Sequence, residues 1–428
     1  MPFTSEVFGI STKMNAYSYV DRSNLDKDFS RYLRRDTHIA ITGPSKCGKS
    51  WLRQKCLSEA IVVQCRLDMG TVDIYREILS ALNAKFDVGK EITFVANEKF
   101  SAEGQLGLAY IANAKAQGNI ELGQEKTIST EVDFNTSSNN LRYIADSVKK
   151  SGKRVVIEDF HYLNLATREK LAHDMKTLWD YECYFIIIGV WTQTNLLTSM
   201  NPDLTGRIVE LSVSWTDEDL KRVIDKGCAV LNVEIDPVIE NELIKDSFKN
   251  VGILQSLLLL LIEDESGFEE TQIGKMYITE FQLYKKAAEK YATQLDGVYQ
   301  QFAKTLSQGI RSRKKSTGIY ALAMQAIVRA TDDELMYGLS RNKIFIYANG
   351  KEPRVQKGNL KTILGKLVDL QRPESGKGLV ISYDEASDVI FVVDYQLLFY
   401  RKHCVMRWPW EEMIEEAQQQ SLFDEDKE

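Results

Sequence analysis

The chain has 428 residues, longer than a single hydrophobic core usually grows, so two or three domains are expected. Hydrophobic residues make up 44% and charged residues 27%, which supplies real cores and excludes global disorder. The formal net charge of -7 argues against indiscriminate nucleic-acid binding by the whole surface, so local patches have to be read one by one.

Residues 1–35 form an amino-terminal segment, and Met1 to Glu6 lacks the basic and apolar blocks of a secretory signal. The six cysteines, Cys47, Cys56, Cys65, Cys183, Cys228 and Cys404, form no close CxxC pair and have no histidine cluster beside them, so they read as reduced thiols. The longest apolar run, Leu257 to Ile262, is too short to cross a bilayer. A cytoplasmic location is expected.

His38 to Thr42 is a short β-rich stretch, and Gly43-Pro44-Ser45-Lys46-Cys47-Gly48-Lys49-Ser50 follows it directly, leading into a helical segment from Trp51 to Ala60. The pattern GxxxxGK[ST] is met in full, in the strand, loop, helix order that makes it meaningful. Gly43 and Gly48 let the backbone wrap phosphates without a Cβ in the way, and amides at the helix start attract the anion. Lys49 is expected to neutralise β/γ-phosphate oxygens and the Ser50 hydroxyl to ligate Mg²⁺. ATP and Mg²⁺ are the ligands this predicts, with Gly43 to Ser50 and Trp51 around the nucleotide. The Cys47 side chain reads as incidental to the chemistry.

Further apolar strands are predicted at Ile61 to Cys65, at Val155 to Ile157 and at Tyr184 to Val190. Continuous apolar runs of this kind belong to a parallel sheet covered on both faces, so residues 36–213 read as an α/β P-loop NTPase core. The run at Val155 ends in Glu158-Asp159, the strong candidate for the acid pair that holds the metal's water shell and polarises the attacking water. The usual order is Asp then Glu, so either the two roles are exchanged or Asp159 carries both. His161 reads as structural. Between about 87 and 140, alternation at Leu106 to Ala114 and at Ile128 to Phe134, with Gly118 and Gly123 between, predicts a β-hairpin insertion.

Thr216-Asp217-Glu218-Asp219 resembles a capping box and opens a helical region, 214–300, read as a lid. Residues 308–403 carry helices at Tyr320 to Arg329, Asp333 to Leu339 and Asn359 to Leu370, then strands at Leu379 to Tyr383 and Val389 to Val393. Helices followed by a two-stranded wing predict a winged helix. From Arg311 to Arg372 there are thirteen Lys/Arg against five acids, a net +8 in an acidic chain, and this local asymmetry suits phosphate-backbone binding. Lys357, Lys361 and Lys366 are the candidate contacts to DNA or to a protein partner. The tail, 404–428, turns acidic.

The residues Gly43 to Ser50, Val155 to Tyr162, Gly189 to Thr192 and Asp203 to Leu211 together resemble the AAA+-like and signal-transduction P-loop ATPases, closest in layout to the origin-recognition and archaeal-ATPase branches. The resemblance covers about 380 residues at the level of layout, through the lid and the winged helix. It implies that Thr192 senses the γ-phosphate, that Arg207 reaches a phosphate, often in a neighbouring subunit of a homo-oligomer, and that Tyr19 and Arg22 pack near the adenine. The lid segment Lys249 to Leu254 departs from the family by carrying no arginine, which implies slow or partner-stimulated hydrolysis. Gln419, Leu422 and Phe423 in the tail resemble the short peptides that dock on a bacterial sliding clamp.

Two functions follow as expectations. One is an ATP-driven switch acting on DNA or a DNA-processing partner. The other is a defence-type signal-transduction ATPase whose winged helix makes protein contacts and whose effector chemistry lies in a partner protein. A non-hydrolysing nucleotide-binding scaffold is a third, weaker reading. No nuclease, protease or NADase motif is recognisable.

Overall fold

The computed structural model describes residues 1–22, 24–82, 92–94, 128–130, 138–191, 195–308, 318–371, 379–385 and 387–415. Its centre is a five-stranded parallel sheet. Strands β1 (His38–Thr42), β2 (Ala60–Gln64), β5 (Arg154–Glu158), β6 (Phe185–Ile188) and β7 (Ile208–Ser212) lie in the order β2-β5-β6-β1-β7, while β3 (Ile92–Phe94) and β4 (Ile128–Thr130) pair with each other outside this sheet. β6 therefore separates the strand that leads into the phosphate loop from the strand that ends in the acid pair.

Alternation along each strand explains why continuous apolar runs are needed. Ile39, Ile41, Val156, Ile186 and Ile188 face one core, and Ala40, Val155, Ile157, Phe185 and Ile187 face the other. Each of the larger side chains is fully or almost fully buried and contributes on the order of 1.5–3 kcal/mol by leaving water. The second core is closed by helices Thr71–Ala81, Ser138–Ser151 and Leu165–Asp180. His38 is buried among these strands. Its Nδ1 accepts the Phe185 amide and its Nε2 donates to the Met175 carbonyl, and burial pushes the imidazole down to about 4, so it is a neutral structural group.

The first core continues from the sheet into the lid. The predicted capping box is formed: the Thr216 hydroxyl accepts the Asp219 amide at 3.1 Å and an Asp219 carboxyl oxygen accepts the Thr216 amide at 3.3 Å. It opens helix Asp217–Leu231, followed by Pro237–Asp246 and Val251–Leu259. Strands Val233–Ile235 and Met276–Ile278 pair in parallel beside them. Helix Phe281–Gln308 then runs 28 residues, about 42 Å at 1.5 Å per residue. Tyr284, Ala288, Tyr291, Leu295, Tyr299, Phe302 and Leu306 make a buried stripe along it at helical spacing. This helix crosses the expected lid boundary at residue 300 and carries the core into the carboxy-terminal domain.

That domain differs from the sequence expectation in two elements. Leu339–Ser340 is a short strand, and Arg341–Lys351 is a helix where none is predicted. The helix forms because the Ser340 hydroxyl caps the Lys343 amide at 3.3 Å, while Ile344 and Ala348, one turn apart, bury their side chains. Helices Ile319–Arg329, Asp332–Tyr337 and Lys357–Leu370 are as expected to within a few residues. Strands Ile381–Asp384 and Val389–Val392 pair antiparallel, and Leu339–Ser340 joins them as a third strand in contact with Val389 and Ile390. Helix Gln396–His403 follows.

In the predicted insertion, Ile92–Phe94 pairs antiparallel with Ile128–Thr130. The alternating run from Leu106 to Ala114 lies outside the described residues, as do Thr192, Arg311, Arg313, Lys314, Lys315, Arg372 and the tail residues Gln419, Leu422 and Phe423. Among the described residues no helix is long and apolar enough to cross a membrane.

Candidate functional site

The phosphate loop leaves β1 at Thr42 and enters helix Lys49–Cys56 at Gly48. Gly48 has φ +89°, a conformation that disfavours a side chain, and a Cβ on Gly43 would come within 2.7 Å of the Val213 carbonyl oxygen. Both glycines are therefore required by geometry as well as by motif. Lys49 is buried, and its ammonium donates to the Gly43 and Pro44 carbonyls at 3.0 and 2.6 Å. Cys47 is buried inside the loop and its carbonyl accepts the Trp215 indole N–H at 2.9 Å.

The acid pair sits at the end of β5, across from Ser50. The Ser50 hydroxyl donates to Glu158 Oε2 at 3.1 Å. Arg53, one turn farther along the same helix, donates to Glu158 Oε1 through Nε at 3.1 Å and Nη2 at 3.0 Å. Asp159 takes a left-handed backbone, φ 55° and ψ 35°, and its carboxylate accepts from the Gln64 amide nitrogen. Burial, with the charge of Glu158 second, holds the Asp159 carboxyl above the usual range. His161 is driven down to about 4, by burial first and then by Lys49, so it is neutral at pH 7; its Nδ1 accepts the Val190 amide at 3.4 Å.

Mg²⁺ asks for hard oxygen donors and is commonly bound through one or two carboxylates plus phosphates. The Ser50 hydroxyl and the Glu158 carboxylate, already in contact, are such donors, and Asp159 is the next residue. Among the described residues no group of three or more His, Cys, Asp or Glu could hold a metal ion by itself. A metal here would need the phosphates to complete its shell.

The amino-terminal segment lies along the loop helix. The Trp51 indole donates to the Ser11 carbonyl at 3.1 Å, and Gln54 bonds the backbone of Thr12 and Met14 at 2.8 and 2.9 Å. Arg22 is buried, with its guanidinium 4.5 Å from the Trp215 ring centroid and 6.0 Å from that of Tyr19, and Nη2 is 3.5 Å from the Gly48 carbonyl. Tyr19 in turn donates to Asp26 at 2.7 Å. Arg22 is thus brought to the phosphate loop beside Trp51, with Tyr19 in contact with Arg22.

Arg207 is placed at the other end of the sheet. Its carbonyl accepts the amide of His38, the first residue of β1, and its guanidinium lies 4.8 Å from the Trp179 ring and donates to the Asp203 carbonyl. It stands apart from this chain's own phosphate loop.

Interactions that no motif announces hold the loop's outer turn. Ser45 and Lys46 are engaged from two directions. From the lid, Asn250 Nδ2 donates to the Ser45 carbonyl at 2.8 Å, and Gly252 packs so closely that a Cβ there would meet the Lys46 carbonyl oxygen at 2.7 Å. From the carboxy-terminal domain, the Val393 carbonyl accepts the Ser45 amide at 3.4 Å and Gln396 Oε1 accepts from the Lys46 ammonium. Gln396 also donates to the Tyr291 hydroxyl of the long helix. Arg53 is legible in principle, three residues from Ser50 on one helix face. Gln396, 350 residues from Lys46, leaves no local signal.

The basic face is present but partly neutralised. Lys357, Lys361 and Lys366 lie exposed on helix Lys357–Leu370. Lys357 caps the Phe345 ring at 5.2 Å, and Lys361 lies 4.0 Å from Glu385. Arg341, Lys343 and Arg354 face Asp388, Glu334 and Glu352.

The sheet order, the phosphate loop and the acid-tipped strand define an α/β P-loop NTPase core, followed by a helical region and a small α+β domain. No protein-family model and no curated protein sequence matches the chain. It is similar to the solved structure of the Aeropyrum pernix ORC1 protein in complex with DNA, at 11% identity over 89% of this chain and 92% of that one, TM-score 0.41. It is also similar to the RuvB Holliday junction branch migration motor of Thermotoga maritima, at 16% identity over 89% and 95%, TM-score 0.36. A third similarity is to a signal transduction ATPase with numerous domains from Pyrococcus horikoshii, which has a tetratricopeptide repeat sensor. There the identity is 13% over 96% of this chain but only 45% of the other, TM-score 0.37.

Proposed function

We propose that the chain is an ATP-binding, Mg²⁺-dependent molecular switch that hydrolyses ATP slowly or on stimulation by a partner, and whose carboxy-terminal domain reports the state of the phosphate loop. The observation that carries this reading is the double grip on Ser45 and Lys46, by Asn250 and Gly252 of the lid and by Val393 and Gln396 of the carboxy-terminal domain. A loop that wraps phosphates has to reorganise its outer turn around them. Groups bonded to that turn feel the change directly.

In this reading the amides of Gly43 to Ser50 and the Lys49 ammonium hold the phosphates, and Tyr19, Arg22 and Trp51 line the nucleoside side. Ser50 and Glu158 hold the metal, which offsets charge on the β- and γ-phosphates when bound. Thr192 acts as γ-phosphate sensor, and Arg207, remote from its own loop, acts on the nucleotide of a neighbouring copy.

The carboxy-terminal domain is read as a winged helix, supported by its order of two helices, short strand, two helices and two antiparallel strands. Its output is DNA or a DNA-processing partner, met by the exposed Lys357, Lys361 and Lys366. The competing output, a protein contact of the defence-type ATPases with the effector in a partner protein, is favoured by one specific observation: Arg341, Lys343 and Arg354 already face carboxylates, which lowers the charge available to phosphates. Docking on a clamp through Gln419, Leu422 and Phe423 belongs to the DNA reading.

The test is nucleotide binding and exchange. Lys49→Ala is expected to abolish ATP binding in equilibrium titration. Gln396→Ala is expected to bind ATP and to release fluorescent ADP several-fold faster than the unaltered chain. Unchanged ATP affinity in Lys49→Ala removes the nucleotide reading, and an unchanged ADP off-rate in Gln396→Ala removes the coupling.

A further inference from the structure

Lid helix Pro237–Asp246 passes to helix Val251–Leu259 through four residues, Ser247 to Asn250, closed by a hydrogen bond from the Asn250 amide to the Ser247 carbonyl at 2.9 Å. The two central residues, Phe248 and Lys249, both have left-handed backbones, φ +49° and +54°. A turn with positive φ at both central positions is the primed kind, which Gly, Asn and Asp dominate. Each of these two residues, with a Cβ crowding the following carbonyl, disfavours that form by a factor of about five or more. Neither side chain offsets the strain with a polar contact. Phe248 is buried in the core, and Lys249 is exposed with no hydrogen bond or ion pair among the described residues.

Strain of this kind persists only where the surroundings over-determine it, and here both ends of the turn are fastened. On one side Asp246 accepts from Lys402, His403 and Tyr284, which ties the turn to the carboxy-terminal domain. On the other, Asn250 accepts the Gly252 amide at 2.9 Å, capping the next helix, and donates to the Ser45 carbonyl of the phosphate loop at 2.8 Å. Only three residues, 247–249, separate the two anchors. The turn also opens onto a cleft of about 620 Å³, walled by Ile244 and Lys245 of the lid and by Asp333 and Met336 of the carboxy-terminal domain, so it has room to change shape.

We infer that Phe248 and Lys249 are positioning residues that form a strained latch: the left-handed turn belongs to the form in which the lid grips Ser45, and it relaxes when Asn250 lets the loop go. This rests on the proposed switch reading and deepens it. Strain confined to the gripped form raises the energy of that form alone, so it biases the equilibrium toward release. A grip that retains ADP is thereby kept reversible. The anchors at Asp246 and Asn250 make the same turn the shortest covalent link between the carboxy-terminal domain and the loop.

The experiment removes the strain without touching either anchor. In the full chain, fluorescent ADP is displaced by excess unlabelled ADP and its off-rate measured. Lys249→Ala removes the charge and keeps the Cβ, and is expected to release ADP at the rate of the unaltered chain. Lys249→Gly, which adopts the left-handed form freely, is expected to release it about fivefold more slowly. Lys249→Asn, which also tolerates that form, should shift the rate in the same direction and serves as the reading if Lys249→Gly fails to fold. Asn250→Ala is expected to speed release, and in Lys249→Gly/Asn250→Ala the slowing should vanish, because the turn no longer bears on the loop. If Lys249→Gly melts at a higher temperature than Lys249→Ala but releases ADP at the same rate, the strain is structural only and the latch is overturned. A slowing that survives Asn250→Ala overturns it as well. Absence of ADP and ATP binding by the unaltered chain is a different result, since it removes the switch reading and the latch together.

Discussion

Replacing Asp246 by Asn tests how the carboxy-terminal domain is fastened to the lid. Asp246 is the last residue of helix Pro237–Asp246 and its side chain is 1% exposed. It accepts from Lys402, from His403 Nε2 at 2.6 Å and from the Tyr284 hydroxyl, so one carboxylate ties the lid to helix Gln396–His403 and to the long helix between them. Burial alone would raise this carboxyl, but the hydrogen bonds from His403, Lys402 and Tyr284 outweigh it and bring it from 3.8 down to about 2. A depression of nearly two units at 1.36 kcal/mol per unit is worth about 2.5 kcal/mol. Because the folded-state value is depressed, this stability is fully present above about pH 4 and is lost as the pH falls through about 2. Urea unfolding of the two proteins at pH 7 should therefore show Asp246→Asn less stable by about 2–3 kcal/mol, with the gap closing as the comparison is repeated down to pH 2. A difference under about 0.5 kcal/mol at pH 7, or one that does not shrink with acid, would refute the reasoning.

The remaining predictions concern the loop and the basic face. Gly252→Ala puts a methyl within 2.7 Å of the Lys46 carbonyl oxygen and has to push the lid off the loop, lowering stability by about 1–3 kcal/mol; an unchanged melting curve counts against the close packing. Trp215→Phe removes the indole donor to the Cys47 carbonyl while keeping an aromatic face for Arg22, and should cost about 1–2 kcal/mol in denaturant unfolding, whereas Trp215→Ala should cost more. Triple charge reversal at Lys357, Lys361 and Lys366 should weaken duplex binding and flatten its dependence on salt by about one unit of slope for each phosphate that is no longer neutralised. Identical salt slopes for the reversed and unaltered chains would leave the protein-contact reading as the better one.

Much of the core could be read locally because its signals are local. The phosphate loop is eight consecutive residues, and Glu158-Asp159 follows an apolar strand whose burial on both faces shows in its composition. The helix at Arg341–Lys351 was hidden because Ile344-Phe345-Ile346-Tyr347 has the β-branched and aromatic character of a strand. Packing of Ile344 and Ala348 into the domain core overrides that preference. The net +8 of the basic window was a true count and an incomplete one. Asp388 and Glu385, which face Arg341 and Lys361, lie beyond the window along the chain and beside it in space.

The sequence by itself determined that the chain carries a phosphate loop on a parallel α/β sheet, because backbone wrapping of an anion demands glycines, a lysine and a hydroxyl at set spacing. Only the tertiary structure decided what touches that loop. Arg53 and Gln64 reach the two acids through helix phase and strand register, and Asn250, Val393 and Gln396 reach Ser45 and Lys46 across more than 200 residues of chain. Such contacts depend on how the lid, the long helix and the terminal domain close into one continuous core, and no spacing along the chain encodes that closure.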